Sequence, residues 1–264
     1  MNFKNLSLLA QLPSNNRLER IWKLSQVDFL SRYYNDKLGL IWALLTPIFQ
    51  ATVYYVVFSF FLEKKEENFG LFIFCGIVFW MAYRECTTRS MTILHRKNYL
   101  ISNIQFYWID LYISHVLSVF LALSFNFGSF VLICLCFGIF PSLLSFNLVI
   151  VFITLYLFCF GTSLVLSVIQ PFIVDINHLW DMILLIGFWS TGIFFPMDTI
   201  VLKYPILGYA NPLIGIVHNA RACILPNIEF NHTWLLINFL FGIFISLIGL
   251  SLFHRVVHSA VEKV

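Results

Sequence analysis

The run from Leu38 to Leu62 contains no Asp, Glu, Lys or Arg, and it sharply limits how the chain can fold. A bilayer core of ~30 Å is crossed by ~20 mostly apolar helical residues, so this run alone is long enough to span a membrane. Five more apolar stretches follow, and the sequence places the six at Leu38–Leu62, Phe69–Tyr83, Ile109–Phe140, Phe146–Phe172, Leu179–Phe195 and Trp234–Phe253. In lipid, backbone groups must satisfy one another, which leaves helices or a closed barrel. Uninterrupted apolar runs lack the alternation of a barrel strand. The expected fold class is all-α, a polytopic membrane protein with six transmembrane helices. Composition agrees: 60% of residues are hydrophobic and 11% charged, against roughly 45–50% apolar and 25% charged in a soluble domain.

Positive charge sets the expected orientation. The six spans place twelve of the 16 Lys and Arg on one side: Lys4, Arg17, Arg20, Lys23, Arg32, Lys37, Arg84, Arg89, Arg96, Lys97, Arg255 and Lys263. Lys64, Lys65, Lys203 and Arg221 fall on the other. The positive-inside rule then makes both termini cytoplasmic. Residues 1 to 36 are polar and charged, unlike a cleavable signal. Six cysteines, mostly inside apolar runs and without paired spacing, read as packing residues rather than disulfide or metal ligands.

Residues 1–37 read as a cytoplasmic leader with an amphipathic interface helix, and 38–264 as the membrane domain. Leu18, Ile21, Trp22, Ser25 and Phe29 share one helix face, with Arg17, Arg20 and Lys23 away from it. That pattern predicts a helix lying on the membrane surface, with a solvated helix as the alternative. The segment from Thr87 to Asp110 is the longest expected cytoplasmic loop. Asp175, His178 and Asp181 recur at three-residue spacing at the mouth of the fifth span. Ionisable groups there suggest a proton relay, or a structural role at a wet helix entrance. The external segment from Met197 to Thr233 is apolar yet broken by Pro205, Gly208, Pro212, Gly215 and Pro226. External re-entrant helices between the fifth and sixth spans would bury such a segment with its backbone satisfied.

Motifs of energy coupling are missing. No Gly is followed by Lys, so there is no phosphate-binding P-loop, and H-E-x-x-H is absent too. Aromatics are the positive signal, with 30 Phe, 11 Tyr and 7 Trp. Many Phe fill lipid-facing positions. Tyr33, Tyr34, Tyr54, Tyr55, Trp80, Tyr83, Tyr156, Trp180 and Trp189 suggest a path along which sugar rings stack while their hydroxyls stay wet.

The stretch from Arg32-Tyr33-Tyr34 through Leu38-Gly39, Trp42 and Leu45 to Pro47 resembles the R-[YF]-x(4)-L-G-x-x-W-x-x-[LI]-x-P signature of permease subunits in ABC-type polysaccharide exporters, which move capsule, O-antigen or teichoic acid chains. Asn211-Pro212-Leu213, followed by Arg221, resembles an N-P-[LF]…R element in that family's external re-entrant segment. The likeness covers essentially the whole chain. It departs from the family in having no Pro from Ile48 through Phe140, Val174 before Asp175, and Ser190-Thr191-Gly192 where Ser-Pro is common.

The resemblance implies a homodimeric channel in a bacterial inner membrane, with two copies of a separate ATPase beneath it and a lipid-linked polysaccharide as cargo. ATP and Mg would be bound by that partner and no cofactor by this chain; no nucleic acid is expected. Candidate contacts to lipid pyrophosphate or glycan are Arg32, Tyr33, Tyr34, Trp42, Tyr54, Tyr55, Tyr83, Arg84, Arg89 and Trp189. A guanidinium pairs bidentately with phosphate, which favours the arginines. Arg20, Lys23, His95, Arg96 and Lys97 are candidates for the ATPase-docking surface. Gly39 would let neighbouring helices approach, Trp42 would anchor the first span, and Pro47 would kink it. Rival readings are an ABC permease for a drug or small lipo-oligosaccharide, a membrane transferase acting on a lipid-linked sugar, and a proton-coupled transporter.

Overall fold

The computed structural model describes residues 16–32, 39–61, 68–97, 107–141, 143–197, 201, 203, 208, 211–261 and 263. Its helices are α1 (Arg17–Ser31), α2 (Ile41–Phe61), α3 (Phe69–Met91), α4 (Ile93–Arg96), α5 (Trp108–Cys136), α6 (Leu148–Ile169, after a 3₁₀ turn at Leu143–Asn147), α7 (Ile176–Ser190), α8 (Pro212–Ala222) and α9 (His232–Val261). Among the described residues five helices are long and apolar enough to cross a membrane: α2, α3, α5, α6 and α9. The chain is therefore an all-helical, multi-pass membrane protein. Below, the end near α1 is the leader end and the end near α8 the far end.

α3 is the hub, packed by α2, α5, α6, α7 and α8. It runs to Met91 instead of stopping near Tyr83. Arg84, Glu85 and Arg89 extend it, because Glu85 and Arg89 are four residues apart on one face and pair at 3.1 Å. The expected loop after it is correspondingly shorter and holds α4. α5 ends at Cys136 with Gly138 left-handed (φ +77), where Gly138 N–H and Ile139 N–H cap the Leu135 and Cys134 carbonyls at 3.0 and 2.9 Å.

Lipid tails are as apolar as leucine, so helices in a membrane associate through close packing of small residues. α6 and α9 meet this way. A Cβ on Gly161 would lie 2.5 Å from the Ser246 nitrogen, one on Gly249 2.8 Å from the Gly161 oxygen, and Ser246 Oγ donates to the Leu157 carbonyl at 2.7 Å.

The region expected to be the fifth span differs from its sequence reading. α7 is 15 residues long, about 22 Å at 1.5 Å per residue, and stops before the Phe195 expected from hydropathy. Gly192 turns left-handed (φ +75), and the carbonyls of Gly192 and Ile193 accept from the Arg221 guanidinium instead of from a continuing helix. Gly39 also differs. It takes φ +50 in the turn that starts α2, so backbone conformation rather than close helix approach accounts for it here.

The leader helix carries a second correction. Arg17 and Arg20 point inward rather than away: Arg17 reaches the fully buried Asp110 through two nitrogens (2.6 and 2.9 Å), and Arg20 reaches it at 3.2 Å. Ile21, Leu24 and Ser25 are buried beneath them, whereas Leu18 and Trp22 of the expected apolar face stay exposed. The hydrogen bond to Asp110 raises the Arg17 pKa. Lys97 pairs with Asp28, adding a clasp to α1. Asp110→Asn is expected to loosen the leader, because removing one member of a buried charge cluster leaves the others uncompensated. Limited trypsinolysis in detergent reads this as several-fold faster cleavage at Arg17, Arg20 and Lys23 with the spans intact.

Candidate functional site

Three helices enclose a hollow of about 460 Å³ between α2, α3 and α7. Tyr54 from α2, Trp80 and Arg84 from α3, and Asp181 and Phe188 from α7 line it, with Gln50. The aromatic wall is closely packed. Trp80 sits 5.8 Å from the Phe188 ring and 6.1 Å from Tyr83, and Tyr54 packs on Phe188 and Phe194 at 5.5 and 5.0 Å. Gly187 makes room for this wall, since a Cβ there would lie 2.9 Å from the Trp80 ring. Trp180 Nε1 donates to Thr87 Oγ1 at 3.1 Å, pinning the start of α7 to α3.

Arg84 and Asp181 are exposed in this hollow. Neither has a hydrogen bond or ion pair with another described residue, which leaves both free to meet a ligand. A guanidinium, a carboxylate and an indole around one space can bind phosphate oxygens, sugar hydroxyls and a sugar-ring face respectively.

Arg32 and Arg89 are placed differently. Both pair with Glu85, at 3.0 and 3.1 Å, and Arg32 also donates to Ser118. Of the three arginines suggested for phosphate, only Arg84 is uncommitted among the described residues. Arg32 and Trp42 line a smaller hollow of about 160 Å³ against the opposite face of α3, with Glu85 and Asn126. Tyr83 belongs to the core, stacked on Phe158 with ring centroids 5.0 Å apart. Tyr55 lines a third hollow nearer the far end, with Thr52, Asn68 and Phe69. Trp189 is half-exposed on the outer side of α7, 5.6 Å from Phe188. Tyr33 and Tyr34 lie outside the described residues.

At the leader end, Arg20 and Lys97 are held by Asp110 and Asp28, and Lys23 makes a surface pair with Glu19 at 3.0 Å. His95 and Arg96 are exposed on α4, and Arg96 also donates to the Arg89 carbonyl at 2.7 Å.

The Asn211…Arg221 element has a structural explanation. Asn211 caps α8, its Oδ1 accepting from Leu213 N–H at 3.2 Å and its Nδ2 donating to Thr191 at 2.9 Å; Pro212 fills the first helical position, where no N–H is needed. Every residue of α8 is buried. Arg221 donates to the carbonyls of Phe72 (3.0 Å), Gly192 (2.8 Å) and Ile193 (2.9 Å), with its guanidinium 3.5 Å over the Phe72 ring. Sequence reasoning missed the acidic partners Asp28, Glu85 and Asp110. In the sequence each is one carboxylate beside an apolar stretch, which marks it as a charge to be paired without giving its partner.

Residues 19–225 match the family model described as ABC-2 type transporter. Two proteins of Klebsiella pneumoniae, each described as O-antigen export system permease protein RfbA, are 23% and 22% identical over 240 residues, covering 90% of this chain and 92% of theirs. A Myxococcus xanthus protein of the same description is 21% identical over 177 residues, covering 67% of this chain and 68% of its own.

Proposed function

Because the chain belongs to the ABC-2 type transporter family, we propose that it is the membrane subunit of an ATP-driven exporter that moves a lipid-linked polysaccharide out of the cytoplasm. Two copies form the channel, and two copies of a separate ATPase chain bind beneath them. The leader end faces the cytoplasm, with both termini there. The protein sits in a bacterial inner membrane, with α7 and the chain after it as the remaining crossing, α8 re-entering from outside, and Leu18 and Trp22 of α1 facing the lipid interface.

The observation that carries this reading is the uncommitted Arg84 in an aromatic-walled hollow between α2, α3 and α7. Phosphate of a lipid pyrophosphate carrier engages Arg84, and Trp80 and Tyr54 present ring faces to the following sugar. The outward sides of α2 and α7 support pairing of two copies around this hollow. Phe49 and Phe60 on α2 and Met182, Leu185 and Ile186 on α7 are all more than 60% exposed, an apolar surface suited to lipid or a second copy. His95 and Arg96, exposed beside the leader, are offered to an ATPase surface.

Arg84→Ala is expected to lower glycan export about tenfold or more, the loss of one charge-assisted contact, at unchanged membrane level and unchanged ATPase co-purification. Arg84→Lys keeps part of it. Normal export by Arg84→Ala would remove the phosphate assignment. Failure to recover a P-loop ATPase chain with the protein in mild detergent would remove the exporter reading itself.

A further inference from the structure

A separate polar cavity of about 760 Å³ opens at the far end, where the connection between α8 and α9 arches over the start of α3. Its wall carries Asn68, Phe72, Asn227, Glu229, Phe230 and His232. From these residues we infer that the cavity is a carbohydrate subsite which takes a neutral or amine-bearing sugar unit of the cargo as it emerges. The inference rests on the export reading only for the identity of the ligand as cargo.

The cavity is built rather than collapsed, and His218 and Asn231 of its own wall help to hold it. Asn219 donates to the Asn231 carbonyl at 3.1 Å and accepts from the Asn231 N–H at 2.8 Å. His218 Nε2 lies 2.9 Å from the Glu229 carbonyl, and Asn231 Oδ1 accepts from Trp234 N–H at 3.0 Å. These contacts engage the lining side chains of His218 and Asn231, fix the loop backbone, and leave other lining side chains uncommitted. Among the described residues, the side chains of Asn68, Asn227, Glu229 and Thr233 make no hydrogen bond. Preformed, uncommitted donors and acceptors are what a weak polyol ligand needs, since ordering them at binding would consume its affinity.

Size and chemistry agree. The volume lies within the range of roughly 300–1,000 Å³ typical of ligand sites and is far larger than one water, whose share of liquid is about 30 Å³. Phe72 has one ring face covered by Arg221, and Phe230 lies 4.8 Å from the His232 ring. Both supply apolar surface beside amide and carboxylate oxygens, a pairing that suits a pyranose. The described wall includes Glu229 and no Lys or Arg, which disfavours acidic sugars. Asn68 (φ +60) and Asn227 (φ +62) are the two non-glycine residues with left-handed backbone among those described, and both lie on this wall. Such conformations concentrate where function fixes the chain.

Saturation-transfer NMR on the purified full chain, in a detergent without a sugar headgroup, tests this with maltotriose, chitotriose and trigalacturonate. Transfer to at least one neutral trisaccharide and none to trigalacturonate is expected. Glu229→Gln and Phe230→Ala are each expected to weaken the neutral ligand about tenfold. Glu229→Gln is an exposed, isosteric change and decides the matter alone if Phe230→Ala lowers the thermal midpoint. No transfer to either neutral probe, equal transfer to trigalacturonate, or unchanged affinity in Glu229→Gln overturns the assignment. The sample contains no ATPase, so a negative result leaves the export reading standing on its own tests.

Discussion

Arg221→Met is expected to lower the thermal midpoint and the yield of monodisperse protein sharply, with Arg221→Lys giving a smaller but clear loss. Arg221 is 2% exposed and spreads three donors over carbonyls of two chain segments, the first turn of α3 and the break after α7. Methionine fills similar volume and removes every donor. The buried carbonyls of Gly192 and Ile193 then lose a donor, at about 1–3 kcal/mol each, less where neighbours re-satisfy them, and the Phe72 carbonyl loses one of its contacts. A total of about 3–5 kcal/mol is a large share of the stability of an ordinary domain. Lysine can reach one or two of the three carbonyls as a point charge but cannot reproduce the planar fork. Fluorescence-detected size exclusion after a heat ramp would place the midpoints in the order wild type, Lys, Met. Equal midpoints would mean that α8 and the end of α7 are held by apolar packing alone. Gly76 sits under the same guanidinium, where a Cβ would lie 2.5 Å from the Arg221 nitrogen.

Gly161→Ala is the second large effect. A Cβ at this position meets backbone on α9: Ser246 N at 2.5 Å and Ile245 C at 2.6 Å. Backbone cannot rotate aside as a side chain does, so the two helices must separate. α6 and α9 form the most extensive helix pair in the chain, and separating them also breaks the Ser246 to Leu157 bond. Overpacking costs about 1–3 kcal/mol where neighbours yield, and the backbone contact places Gly161→Ala at or above the upper end. Gly128→Ala is the internal control. Nothing lies within 4 Å of its added Cβ, so its midpoint is expected to stay level or rise slightly, since mid-helix Gly costs about 0.5–1 kcal/mol relative to Ala. Helix propensity alone would raise both midpoints, so a Gly161→Ala midpoint that matched that of Gly128→Ala would mean that close approach of α6 and α9 is not what Gly161 provides.

The helical class and the long spans were legible because lipid forces backbone groups into helices, and a run without charge is visible residue by residue. Helix ends were less legible. Hydropathy marks where charge begins, so it ended the second span at Tyr83, whereas the Glu85 to Arg89 pair carries α3 on to Met91. It also carried the fifth span to Phe195, because nothing local reveals that Arg221, distant in sequence, terminates α7 by capping Gly192 and Ile193. Arg84 was recognisable as a candidate from its type and position. That Arg32 and Arg89 would be neutralised while Arg84 would not depends on which way each side chain leaves α3 and α1, and sequence spacing does not give the partners. The inward turn of Arg17 and Arg20 was hidden for the same reason: an amphipathic pattern assumes that charges face water, and a single buried Asp110 reverses it.

The length of α7 has a consequence for the membrane around the protein. A helix of 15 residues, about 22 Å, falls roughly 8 Å short of a hydrocarbon core of ~30 Å. The chain after the Gly192 break completes the crossing, so only a flank where α7 alone faced lipid would thin the bilayer, at a cost of fractions of a kcal/mol per ångström. The Arg84 hollow opens against this helix. On such a flank the hollow would face a thinner low-dielectric slab than the surrounding membrane presents.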